Sequence, residues 1–294
     1  MPFARPALLA LLALVGLGFA AAWVAAIRRD LRAPNRRASE WRPGGFHLAV
    51  GFVTDFLDTL GIGSFATTTA AYGLAGRVDD RLVPGTLNVG HALPTIAQAI
   101  IYVTIIDVDM TTLMVMIGAA VAGAWLGSGV VAGWPRRTVR VSMGVALLGA
   151  AGLMLASALG ALPRGGTALS LPGLLLLVGA AANFVLGALM AAGIGLYAPC
   201  MILVSVLGMS PVAAFPIMMG SCALLMPVGS VQFVRRGAYD VRAALGLALA
   251  GTPAVLIAAF VVRSLALGAV RWLVIGVALY AAATLLRAAR RAEA

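Results

Sequence analysis

Apolar residues fall in long blocks separated by short polar or arginine-bearing stretches. The first block, Ala7 to Ile27, has about the length of one membrane span. Arg28, Arg29, Arg32, Arg36, Arg37 and Arg42 follow it. A cleaved signal peptide carries its charge before a shorter apolar core, so this block predicts an uncleaved transmembrane anchor. Eight more blocks follow, at 46–75, 84–105, 110–132 and 138–160, then at 172–207, 211–233, 241–262 and 269–287. The expected organisation is an anchor with a basic loop (1–45), a first repeat (46–160), a linker (161–171) and a second repeat with a basic tail (172–294).

The last eight blocks form two sets of four. Gly51-Phe-Val-Thr-Asp-Phe-Leu-Asp-Thr-Leu-Gly61-Ile62-Gly63 opens the first set, and Asn183-Phe-Val-Leu-Gly-Ala-Leu-Met-Ala-Ala-Gly193-Ile194-Gly195 lies in the first block of the second. At an offset of 132, Phe52 meets Phe184, Leu57 meets Leu189, and the Gly-Ile-Gly triplets coincide. Asp109 and Asp240, then Arg140 and Arg271, pair at 131, and Gly144-Val-Ala-Leu147 returns as Gly276-Val-Ala-Leu279. Several identities near one offset predict two homologous halves.

Block 46–75 has 30 residues, whereas two full spans need about 40. It is therefore one overlong kinked span or a re-entrant hairpin of two half-helices.

Composition settles the class. Of 294 residues, 62% are hydrophobic and 11% charged, against about 45–50% and about 25% in soluble domains. That excludes a soluble enzyme, a nucleic-acid reader and a disordered chain. The net charge is +11, every basic residue is Arg, and the arginines sit in short loops, where they report orientation. With hairpins, 17 Arg lie on the cytoplasmic side and 3 in outside loops; with plain spans the split is 13 to 7. The positive-inside rule prefers hairpins, and then the halves insert in opposite orientations. The expected fold is an all-α polytopic membrane protein of two inverted repeats. Each has a glycine-broken re-entrant helix followed by three transmembrane helices, behind the N-terminal anchor. The N-terminus is expected outside and the C-terminus in the cytoplasm, in a bacterial inner membrane.

The breaks suggest chemistry. A half-helix after a break offers free N–H groups and the positive end of its dipole, which suit an anion. Gly61, Ile62 and Gly63 are followed by Ser64, Thr67 and Thr68, with Ser64 a candidate cap; Gly193, Ile194 and Gly195 are followed by Tyr197 and Pro199. The competing reading is that these glycines only permit close packing. Asp55 and Asp58 share one helical face before the first break and are either proton carriers or a structural pair. Asn88, His91 and Gln98 form a polar stripe, and His91 is a proton shuttle, an anion contact or a structural histidine. The matching block offers Ser221, Cys222 and Gln232. Cys200 and Cys222 read as packed thiols, and Asp107, Asp109 and Asp240 as solvated or capping. No catalytic, metal-ligating or nucleotide-binding pattern occurs, so no enzyme, cofactor or metal is expected.

The run Gly51-Phe to Asp58-Thr-Leu-Gly61-Ile-Gly63, its Thr-rich half-helix and Pro84-Gly-Thr-Leu-Asn88-Val-Gly90 resemble the TauE/SafE sulfite exporter family. The resemblance extends to Gly118–Gly127 and Arg236-Gly-Ala-Tyr-Asp240 and covers about 46–287. It implies transport of sulfite, sulfonates or related small sulfur-containing anions. The family's break often continues with glycines; here Ser64 and Leu196 follow, leaving the particular anion open. The resulting expectation is a secondary transporter binding a small anion at midplane between the breaks, through Gly61, Ile62, Gly63, Ser64, Thr67, Thr68, Asn88, His91, Gly193, Ile194, Gly195, Tyr197 and Ser221. Asp55, Asp58 and His91 are the candidate proton carriers. A passive channel and a membrane scaffold are the rivals, and the expected partners are the anion, the bilayer and, left open, a second copy of the chain.

Overall fold

The computed structural model describes residues 3–31, 41–161 and 165–261, with single positions at 279, 282, 283, 286, 287 and 290. The expectations placed on the basic residues 32–40, on Arg164, Arg263 and Arg271, and on most of block 269–287 lie outside the described residues. The helices in chain order are α1 (Ala4–Leu31), α2 (Gly45–Thr59), α3 (Ser64–Ala75), α4 (Val83–Gly90), α5 (Ala92–Ile105), α6 (Met110–Val131), α7 (Arg136–Ala158), α8 (Gly173–Met190), α9 (Tyr197–Val206), α10 (Ala214–Arg235) and α11 (Val241–Val261). Among the described residues, five helical stretches are long and apolar enough to cross a membrane: residues 4–29, 110–131, 173–190, 211–235 and 241–259. The chain is a multi-pass helical membrane protein. The apolar blocks read from the sequence between residues 7 and 262 match helices α1 to α11 to within a few residues at their outer ends, with 46–75, 84–105 and 172–207 each divided into two helices.

Both breaks are built in one way. The Gly61 N–H donates to the Asp58 carbonyl (2.8 Å) and the Ile62 N–H to the Leu57 carbonyl (3.2 Å). The Gly193 N–H donates to Met190 (3.0 Å) and the Ile194 N–H to Leu189 (3.3 Å). This is the paired-bond helix stop that requires a left-handed residue just past the helix. Gly61 (φ 82°) and Gly193 (φ 88°) supply it, and the isoleucine after each is the apolar residue the motif favours. The first glycine of each triplet thus ends a helix, and α3 starts three residues after Gly61 and α9 four residues after Gly193.

The two ends of each broken segment are in contact. The Phe46 ring, in the first turn of α2, lies 6.1 Å from Tyr72 near the end of α3, and the Arg77 guanidinium sits 5.5 Å over Phe46. In the second segment the Ser210 N–H, after α9, donates to the Ala168 carbonyl before α8 (2.8 Å), and the Gly166 N–H donates to Met209 (3.0 Å). The helices that follow start from matching caps. Asp109 accepts the Thr112 N–H (2.8 Å) at the head of α6, and Asp240 accepts the Ala243 N–H (2.9 Å) at the head of α11.

Long contacts run between the sequence halves. α6 packs along α8, and α2 along α11. Both crossings are closed by small residues that let backbones touch. A side chain on Gly123 would run into the Phe184 carbonyl, and one on Gly187 into the Ala120 carbonyl. In the other crossing Gly51 lies against Gly246 and Leu247, and Gly246 against His47. α10 is central, most of its residues being buried. α1 lies on α5, pinned by the Trp23 Nε1 bond to the Tyr239 hydroxyl (3.3 Å) and the Arg5–Asp107 pair (2.8 Å).

Candidate functional site

A cavity of about 250 Å³ lies between the two breaks. Ile62, Gly63 and Ser64 line it from the first, and Ile194, Gly195 and Tyr197 from the second. α7 adds Val145, Ala146, Gly149 and Leu153. The walls are mostly hydrocarbon. The polar groups are Asp58, Ser64, Thr95 and Tyr197, and Asp58 is the one ionisable carboxyl among them. The Thr95 hydroxyl is buried there without a hydrogen-bond partner. A buried hydroxyl left this way is costly unless something in the cavity meets it.

Asp58 stands where the first break turns into α3. One carboxyl oxygen accepts the Ser64 backbone N–H, and the other is 3.0 Å from the Tyr197 hydroxyl. Ser64 is therefore the first residue of α3 rather than its cap, and the carboxyl of Asp58 occupies that helix N-terminus. The second half differs. At the offset of 132, Asp58 corresponds to Met190, which also lines the cavity. α9 starts without a side-chain cap, and first-turn N–H groups have no partner within their own helix.

The Tyr197 oxygen is 3.0 Å from two acceptors, Asp58 Oδ2 and Gln98 Oε1, yet a phenol has one proton. Two arrangements satisfy every group. With Asp58 ionised, Tyr197 donates to it and Gln98 turns its amide to offer an N–H to Tyr197. With Asp58 protonated, the proton chain runs from Asp58 to Tyr197 to Gln98 Oε1. The Gln98 amide then donates to Thr59 Oγ1 (3.1 Å), which donates to the Asp55 carbonyl (2.8 Å). A proton on Asp58 and the orientation of Gln98 are thus one coupled choice.

Asp55 lies one turn behind the cavity, fully buried, with His91 Nδ1 at 2.8 Å and Thr68 Oγ1 on the far nitrogen of His91 at 3.0 Å. The second Asp55 oxygen has no partner and lies against Gly251, where a side chain would overlap it. At the repeat offsets Asp55 corresponds to Gly187 and Gly251 to Ala120. The small residue has changed sides between the two crossings, and that exchange makes room for a carboxyl in one of them. Removing either partner strands the other in an apolar interior, a loss of about 3 kcal/mol or more. We expect Asp55→Ala and His91→Ala each to destabilise purified protein by about that much, and the double variant by clearly less than the sum. Chemical denaturation in detergent measures this; strict additivity would dissolve the pair.

The cavity gathers Ile62, Gly63, Ser64, Ile194, Gly195, Tyr197 and Asp58 from the residues singled out in the sequence. Gly61 and Gly193 form the helix stops behind it. Thr68, His91 and Asp55 form the buried chain beside it. Thr67 bonds the Ser64 (2.9 Å) and Gly63 (3.1 Å) carbonyls of its own helix, and Asn88 the Pro84 carbonyl (2.8 Å). Ser221 meets Asn183 (3.1 Å), which also donates to the Met116 carbonyl (2.7 Å). Four of these residues, Thr67, Asn88, Ser221 and Asn183, lie off the cavity. Thr95, Met190, Met226 and the α7 residues carry no signal in the sequence pattern; Gln98 belongs to the polar stripe, and its position one heptad past His91 is the available signal. Among the described residues no cluster of three or more His, Cys, Asp or Glu has a metal-binding arrangement. Cys200 and Cys222 are free and buried, with Cys222 Sγ 3.5 Å from Met190 Sδ. Comparison with protein-family models, with curated proteins and with solved structures finds no match.

Proposed function

We propose that the chain is a proton-coupled secondary transporter of a small organic anion. The observation that carries the reading is one cavity lined by both Gly-Ile-Gly breaks, with a carboxyl on one half-helix N-terminus and none on the other. An anion entering this cavity meets the uncapped head of α9, where Tyr197 and Ala198 carry the first-turn N–H groups, and the unpartnered Thr95 hydroxyl. It also meets Asp58, and an ionised Asp58 opposes it. A proton on Asp58 removes the repulsion and turns the carboxyl into a donor, so proton and anion bind together. The hydrocarbon walls favour an anion with an apolar body over a bare oxyanion. With the resemblance to the TauE/SafE family, this points to an organosulfonate ahead of sulfite.

The adjoining ends of α2 and α3, and of the segments flanking α8 and α9, support re-entrant hairpins. The exchange of contacts between halves, α6 with α8 and α11 with α2, supports an inverted repeat, the plan of many carriers with a midplane site. In that topology the ends bearing Arg28, Arg29, Arg42, Arg77, Arg81, Arg137, Arg140, Arg235, Arg236 and Arg242 face the cytoplasm, and Arg5 lies outside.

Proteoliposomes loaded at neutral pH and diluted into acid buffer test the reading. Labelled sulfoacetate or a short alkanesulfonate is expected to accumulate above its external concentration, and sulfite to be taken up more weakly. Downhill flux indifferent to the pH gradient would make the protein a passive channel. Absence of flux for all these anions would remove the transport reading.

A further inference from the structure

A second cavity, of about 380 Å³, opens at the arginine-bearing end of the helices, among Trp41, His47, Arg77, Tyr239, Asp240 and Arg242. Its chemistry is the reverse of the first. Two guanidinium groups point to it from different halves of the chain, Arg77 just past α3 and Arg242 at the head of α11. Neither forms an ion pair with a carboxylate among the described residues; Arg77 stacks over Phe46 instead. The carboxyl of Asp240 is engaged as the cap of α11. His47 is 5% exposed, and its Nδ1 has no hydrogen-bond partner.

We infer that this cavity is a binding site for a phosphate-type oxyanion, held by Arg77 and Arg242 with His47 as the third ligand. Two guanidinium forks match the oxygens of a phosphate monoester or diester, and such charge-assisted bonds are stronger than neutral ones. The orphaned imidazole nitrogen supplies either a donor or an acceptor, so it serves a phosphate oxygen or a phosphate hydroxyl alike. Two sources offer this chemistry. Trp41 and Tyr239 are residues typical of the membrane interface, where the headgroup of an anionic phospholipid sits, and basic pockets between membrane helices take such headgroups. A soluble phosphate compound from the aqueous side presents the same group. The occupant bridges the α2–α3 segment and the α10–α11 loop, so it ties the two halves together at this end. Nothing in the inference depends on what the cavity at the breaks carries.

Thermal unfolding of the purified full chain tests it in two arms. One compares mixed micelles of phosphatidylglycerol with phosphatidylcholine; the other titrates inorganic phosphate against chloride at equal ionic strength. The expected result is a saturable stabilisation in at least one arm. Arg77→Gln with Arg242→Gln should weaken it about 100-fold, roughly tenfold for each lost charge-assisted contact. Arg81→Gln removes one charge from the same end, outside the cavity, and should keep it. A response to phosphatidylglycerol alone assigns the site to a lipid headgroup, and a response to phosphate as well assigns it to a soluble anion. Equal stabilisation of wild type and double variant, or none in either arm, overturns the inference. If the double variant does not fold, Arg77→Lys and Arg242→Lys singly, each keeping charge but losing the fork, should each show at least a measurable loss of affinity; unchanged affinity in both overturns it too.

Discussion

Asp58→Asn is expected to keep anion binding and exchange while abolishing accumulation driven by a pH gradient. Asparagine has the shape of the protonated acid. Its carbonyl oxygen still accepts the Ser64 N–H and its amide donates to Tyr197, so the head of α3 stays capped. What disappears is the negative charge. An anion about 5 Å from an ionised Asp58 is repelled by about 3 kcal/mol at an effective dielectric constant of about 20. In affinity that is about two orders of magnitude. The sign follows directly: wild-type affinity falls as pH rises and Asp58 loses its proton, whereas the variant's affinity stays flat at the low-pH level. Binding isotherms across pH, with counterflow and gradient-driven uptake in proteoliposomes, separate the two behaviours. A variant that still accumulates anion against its gradient as wild type does would detach Asp58 from coupling.

The largest effect on stability belongs to Gly187→Val. A side chain there meets the Ala120 carbonyl, and no flexible group can move aside, because both surfaces are backbone. The α6–α8 crossing must open along its length. Overpacking costs about 1–3 kcal/mol where neighbours yield, and here they do not, so a loss of about 3 kcal/mol or more is expected. Gly118 on the same α6 meets open space, and Gly118→Ala should be neutral or stabilising by up to about 1 kcal/mol. Size-exclusion profiles and melting of detergent extracts read both. A Gly187→Val protein that elutes and melts like wild type would show that the crossing is looser than drawn.

The helix blocks and breaks were legible in the sequence because each rests on a local rule. An apolar run of the right length makes a helix, and a glycine able to adopt positive φ ends one. The doubled Gly-Ile-Gly carried more than its spacing revealed. It encodes the same two-bond helix stop at residues 61 and 193, which needs a glycine first and an apolar residue second. The site was legible only in part, because its remaining members are brought together by tertiary contact. Thr95 and Gln98 sit on α5, the wall of Val145 and Leu153 on α7, and Met190 at the end of α8. No local pattern ties these to residue 58. Ser64 shows the same limit. Its position suggested a capping hydroxyl, whereas the cap comes from a carboxyl six residues earlier that reaches back across the break.

The exchange of α6 onto α8 and of α2 onto α11 bears on how the protein is made. The Gly123 face of α6 and the Gly51 face of α2 are shaped for helices that emerge from the ribosome much later. Each half therefore packs helices against the other as well as within itself. Until α8 and α11 have been synthesised, the glycine grooves of α6 and α2 lack the helices that fill them.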